Sequence, residues 1–236
     1  MISREKIVGV IGGMGPEATV DFMRRLVVAT PARDDSDHLH VLVDNNPKIP
    51  SRIAALIEGG GEDPAPVLCA MAKGLEKQGA DFLVIPCNTA HHYLPVIAKA
   101  VRIPLLDMVA MSVAQLAALD ATPRRIGMLA SPAVNKVGLY ERRLNEAGFE
   151  ALFPDENGEA AVLDIIRAVK AGRVEESHRR RYAAIARSLV ERGADAYLIA
   201  CTELSVLGPP ADTTLPFVDA LDVLVQATLR EARPAA

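Results

Sequence analysis

The chain has 236 residues, half of them hydrophobic, with aromatics at 4%, no Trp and a formal net charge of −4 from 26 basic and 30 acidic residues. This composition can bury a sizeable aliphatic core and offers no electrostatic footprint for nucleic acid; its densest cationic run, Arg179-Arg180-Arg181, reads as a solvated helix face. Three cysteines make no disulfide framework and point to a reducing compartment. No apolar run nears the roughly 20 residues a bilayer needs, so a cytoplasmic protein without a membrane partner is expected.

The first apolar run, 7–11, reads as a strand that turns through Gly12, Gly13, Met14 and Gly15 into a helix over 17–30. This turn fits the G-x-G-x-x-A dinucleotide fingerprint and makes a dinucleotide-dependent reductase one alternative. Against it, Glu17 would put negative charge where a pyrophosphate should lie, and Asp44 comes later than the about 20 residues at which a ribose ligand is expected. A strand over 40–43 follows, then a helix over 64–78 in which Cys69 packs. The strand 82–85 runs into Cys87, Asn88 and Thr89 and a helix over 90–101. Cys87 and His91 have i, i+4 spacing, which would allow a metal pair or a Cys–His nucleophile, but no third ligand stands nearby. Beyond lie a helix at 109–119, a strand at 126–129, helices at 137–147, 159–171 and 177–192, a strand at 197–200 ending at Cys201, and a helix at 219–231. Strands alternating with helices imply right-handed βαβ units and parallel sheets.

The chain also repeats itself. GADFLVIPCNTA (79–90) is matched by GADAYLIACTEL (193–204), and GVIGGMGPEATVDFMRRL (9–26) by GMLASPAVNKVGLYERRL (127–144), in the same order and at nearly the same offset. The expected fold class is therefore α/β, with two similar Rossmann-like domains related by a pseudo-twofold axis. One would be 1–108 plus 214–236, carrying Cys87, and the other 109–213, carrying Cys201, with crossings near 103–108 and 207–216.

Ligands of open α/β sheets bind beyond the carboxyl ends of the strands, where both cysteines fall. Each is followed by polar residues, Asn88-Thr89 and Thr202-Glu203, as at a helix N-terminus. Such a terminus is expected to lower a thiol pKa and to cradle a carboxylate. Two symmetric thiols suit racemisation: one takes an alpha proton from one face and the other returns a proton on the opposite face. A free thiol titrates near 8.5, so either form is accessible, and a pair of them titrates in coupled steps. A two-lobed amino-acid-binding protein without turnover is the alternative from another class.

The segments VIGGMGPEAT (10–19), NNPKIPSR (45–52), PCNTAHH (86–92), VKAGR (169–173) and ACTELSVL (200–207) resemble the aspartate/glutamate racemase family, closest to its aspartate racemase branch. The resemblance implies an isomerase that works without pyridoxal phosphate, metal or other cofactor, in the cleft between two α/β domains, usually as a homodimer. By matching position it implies Cys87 and Cys201 as the proton donor and acceptor. It further implies Arg52 and Lys170 on the side-chain carboxylate of aspartate or glutamate, Met14 beside the site, and Asn88, Thr89 and Thr202 along the alpha-carboxylate. The chain departs from the family pattern at Ser131-Pro132-Ala133-Val134 and at Ala110-Met111-Ser112, which bears on substrate preference more than on reaction type.

Overall fold

The computed structural model describes residues 5–120, 123–211 and 214–233. The chain divides into two compact units, Met1–Met108 with Leu221–Ala236, and Val109–Ala220. The first holds β1 (Val8–Gly12), α1 (Pro16–Ala29), β2 (Val41–Asn45), α2 (Ala65–Gln78), β3 (Phe82–Val84) and α3 (Leu94–Ala100). The second holds nearly all of α4 (Met108–Ala117), then β4 (Arg125–Ala130), α5 (Pro132–Lys136), α6 (Glu141–Glu146), β5 (Glu150–Leu152), α7 (Glu156–Lys170), α8 (Glu176–Glu191), β6 (Ala196–Ala200), α9 (Thr202–Leu207) and β7 (Phe217–Asp219). The next element, α10 (Ala220–Ala232), returns to the first unit, where Lys6 pairs with Glu231 and Arg25 with Asp222.

All strand pairs are parallel, as the alternating pattern implies. The first sheet runs β2-β1-β3, and beyond β3 Leu83 bridges Leu105. The second runs β5-β4-β6-β7. Leu105 thus stands in its sheet where β7 stands in the other, and the two sheets share one strand order. The central strands β1 and β6 are buried along their whole length, which is why they read as unbroken apolar runs rather than as alternating ones.

The repeated Gly-Ala-Asp has a physical reason. Gly79 and Gly193 end their helices at φ 101° and 92°, a conformation that glycine adopts without a Cβ penalty. Ala80 and Ala194 are buried behind them. Asp81 then accepts the Ile7 N–H at 2.7 Å, while Asp195 accepts from Arg124 and Arg125 at 2.9 and 3.0 Å. In each unit this carboxylate fixes the start of the neighbouring strand, and so fixes the register that carries the far end of the sheet to its place.

Three expectations need correction. The single helix expected at 137–147 begins late, because α5 ends at Lys136, Gly138 follows at φ 59°, and α6 begins only at Glu141. The helix expected from residue 90 opens as a 3-10 turn, Thr89–Tyr93, and becomes α-helical only at Leu94. The second boundary, placed at 213, lies outside the described residues; Phe217–Asp219, assigned by sequence to the first half, pair with β6 and belong to the second unit.

Candidate active site

In a 2-1-3 order the connections leaving the central strand and its later neighbour diverge, opening a crevice at their carboxyl ends. In the first unit the segments leaving β1 and β3 carry Met14 and Cys87 to this place. Gly13, at φ 93°, is required there: a Cβ would collide with the Asn46 backbone. Its N–H donates to Thr19 Oγ1 at 2.9 Å. The glycine turn is therefore explained by close approach of backbone to backbone, without a dinucleotide.

Cys87 is 6% exposed and shares a hydrophobic cluster with Met14, Ile49, Ile85 and Tyr93. Asn88 is buried and Thr89 half-buried in the following turn. His91 holds this turn rather than facing the thiol. Met108 N–H donates to its Nε2 at 3.2 Å, so Nδ1 carries the proton and donates to the Cys87 carbonyl at 2.9 Å. Both ring nitrogens are thus engaged, which removes the metal-pair and Cys–His nucleophile readings. Among the described residues no group of three His, Cys, Asp or Glu could hold a metal ion.

Arg52, which the family resemblance implies on the side-chain carboxylate, folds its guanidinium back onto its own loop, donating to the carbonyls of Pro50 at 2.7 Å and Ile49 at 3.3 Å. Ile49 belongs to the Cys87 cluster, so this loop is joined to the site's apolar floor. Burial and the nearby Asp63 carboxylate push the Tyr93 hydroxyl up, and the Arg52 charge opposes them. The structure thus groups Met14, Cys87, Asn88, Thr89 and the Arg52 loop within one unit.

The second unit groups Cys201, Thr202 and Lys170. Cys201 directly follows β6 and is the residue before α9, which has only six residues and no side-chain cap. Thr202 is buried, and its Oγ1 has no hydrogen-bond partner. Glu203, which the sequence marks only as a polar residue two positions beyond Cys201, is drawn into the core. It is 5% exposed, Cys201 Sγ donates to its Oε2 at 3.2 Å, and Lys170 Nζ lies 3.6 Å from its Oε1. Across the same core, Tyr182 is fully enclosed with an unpartnered hydroxyl. Asp219, at the end of β7, accepts from Ser205 Oγ at 2.6 Å.

The expected helix-terminus lowering of the thiol pKa does not hold for Cys201. Burial, then the Glu203 charge and hydrogen bond, push this thiol well up, against weaker opposition from the Leu204 N–H and Lys170. Desolvation of a thiolate outweighs six residues of helix dipole. A group raised in the folded state stabilises that state below its unfolded value and loses the contribution as pH climbs towards the folded one. Denaturant midpoints are therefore expected to fall once pH passes the ordinary thiol value of about 8.5, with a shallower fall in Cys201→Ala. Equal slopes for the two proteins would show that Cys201 ionises as readily folded as unfolded.

Comparison with known proteins shows the family. The family model of Asp/Glu/hydantoin racemase matches residues 11–228, which span both units and both cysteines. The chain belongs to the Asp/Glu/hydantoin racemase family. It is an isomerase of the amino-acid racemase kind, similar over 230 residues, at 25% identity, to the broad specificity amino-acid racemase RacX of Bacillus subtilis (strain 168), covering 94% of this chain and 96% of that one. Among solved structures it resembles the Picrophilus torridus aspartate racemase at 30% identity and a TM-score of 0.85, covering 96% of this chain and 94% of that one. An aspartate racemase homologue from Pyrococcus horikoshii OT3 shares the fold at 18% identity and a TM-score of 0.74, over 97% and 99% of the two chains. Two parallel α/β sheets are what this racemase has in common with them. No helix among its described residues is long and apolar enough to cross a membrane.

Proposed function

We propose that this racemase interconverts L- and D-aspartate, or a close acidic amino acid such as glutamate, by two-base 1,1-proton transfer between Cys87 and Cys201, without pyridoxal phosphate or metal. The observation that carries the reading is the equivalence of the two thiols. Each stands just past the carboxyl end of a corresponding strand, β3 beside β1 or β6 beside β4, in sheets of the same order. In this reading each thiol serves one face of the substrate alpha-carbon. Asn88, Thr89 and Thr202 line the alpha-carboxylate, with the orphaned Thr202 hydroxyl supplying a donor, and Met14 forms the apolar wall. Arg52 and Lys170 take the distal carboxylate. The active form is a cytoplasmic homodimer.

One sulfur must be thiolate while the other is thiol, so the proton count of the pair is conserved over a turnover. The high proton affinity of Cys201 makes it a thiol while no ligand is bound.

The test is proton NMR of the purified chain in D2O with each enantiomer of aspartate and then of glutamate, no cofactor added. Loss of the alpha-proton signal together with appearance of the opposite enantiomer is the expected result, and the rates rank the substrates. No exchange with any of the four sinks the acidic-substrate reading. Exchange only after pyridoxal phosphate is added sinks the two-thiol mechanism.

A further inference from the structure

Beyond the two thiols, the second unit holds a buried carboxylate that the two-base scheme does not use. Glu203 has nine-tenths of its surface covered, one oxygen on Cys201 Sγ at 3.2 Å and the other facing Lys170 Nζ at 3.6 Å. The Lys170 side chain is 35% exposed against 7% for that of Glu203. The ammonium thus stands between the buried carboxylate and solvent, where an incoming anion meets it first. Tyr182 on α8 faces the same core, where burial and then the charges of Asp219, at the end of β7, and Cys201 push its hydroxyl well up and keep it protonated.

We propose that Glu203 accepts and returns the Cys201 proton, and that Lys170 gates this exchange according to whether a carboxylate ligand is bound. In the transfer the S–H bond breaks and an O–H bond forms on Glu203 Oε2, leaving a thiolate beside a neutral acid; the return reverses both. The pair carries one negative charge throughout. While Lys170 attends Glu203, that charge is held on the carboxylate and the thiol keeps its proton. A ligand carboxylate that draws the ammonium away removes this bias and raises the proton affinity of Glu203. The charge then moves to sulfur. Cys201 becomes a base only when an acidic ligand occupies the site, which protects an otherwise idle thiolate from oxidation. The gate rests on the acidic-substrate reading above; the proton acceptor does not.

The experiment reads the ultraviolet thiolate absorbance of the full chain carrying Cys69→Ala and Cys87→Ala, which leaves Cys201 as its sole thiol. Succinate, a dicarboxylate with no alpha-amino group, is the probe, with propionate as the single-carboxylate control and calorimetry to register binding. At neutral pH succinate is expected to raise the thiolate signal and propionate to leave it unchanged. Lys170→Met should show the raised signal without ligand, and adding Glu203→Gln to it should abolish that signal. A Lys170→Met protein with the unaltered signal overturns the proposal, as does a succinate response that survives in Glu203→Gln. If succinate fails to bind, the gate falls together with the acidic-substrate reading. The Lys170→Met signal still decides whether Glu203 takes the proton.

Discussion

Cys201→Ala is expected to lower the racemisation rate by about 10²- to 10⁴-fold, the range over which a positioned proton donor acts. In the proposed two-thiol scheme the alanine removes the sulfur that exchanges the proton on its side of the substrate. Cys87 remains, so one enantiomer, the one whose alpha proton faces it, should still exchange with solvent deuterium without inverting. Cys87→Ala should behave as the mirror image, leaving exchange of the opposite enantiomer only. The fold should tolerate both changes, since each removes one sulfur from a well-filled aliphatic cluster. Inversion at the wild-type rate in either variant, or retention of the same enantiomer's exchange in both, is incompatible with two thiols on opposite faces.

Gly13→Ala is expected to be the most damaging of the small substitutions, costing about 2–5 kcal/mol of folding free energy. About 1–2 kcal/mol of that is the left-handed backbone penalty for any L-residue, and about 1–3 is the overpacking of a new methyl against atoms that cannot move aside. Those atoms are Asn46 main chain, held by its own neighbours in the turn after β2. Gly79→Ala isolates the first part, because Gly79 has φ 101° and open space where a Cβ would go. Denaturant midpoints of the two variants, measured side by side, should differ by more than the experimental error, with Gly13→Ala the less stable. Equal midpoints would mean that the Asn46 turn yields to the methyl.

Much of the architecture is legible in the sequence because of two circumstances: the buried parallel strands are continuous apolar runs, and the two halves repeat. The Gly-Ala-Asp signature works as a marker because each of its residues has a fixed mechanical duty, in a left-handed helix end, a buried methyl and a strand-starting carboxylate. The strands β5 and β7 escape notice because three residues show no periodicity, and Glu150-Ala151-Leu152 and Phe217-Val218-Asp219 lie at or near sheet edges where burial is partial. The break between α5 and α6 was present in the sequence as Gly138, within a stretch whose apolar spacing otherwise continues. At the site, the positions of both cysteines follow from strand ends, whereas the electrostatics of Cys201 do not. Spacing places Glu203 two residues beyond the cysteine but cannot say that its carboxylate turns back onto the sulfur. Nor does anything local mark Lys170 or Tyr182 as neighbours of Cys201, since α7 and α8 reach it only through tertiary packing.

The return of α10 to the first unit has a consequence for the making of the protein. The second unit is a single uninterrupted stretch of chain, while the first is assembled from a long opening stretch and a short closing one. A ribosome therefore delivers all of the later-encoded unit before it delivers the last helix of the earlier one. The order in which the two bodies can be completed is the reverse of the order in which they begin, and until α10 emerges Lys6 and Arg25 wait without Glu231 and Asp222. In a nascent chain it is Cys201, with its carboxylate and ammonium, that can be assembled first.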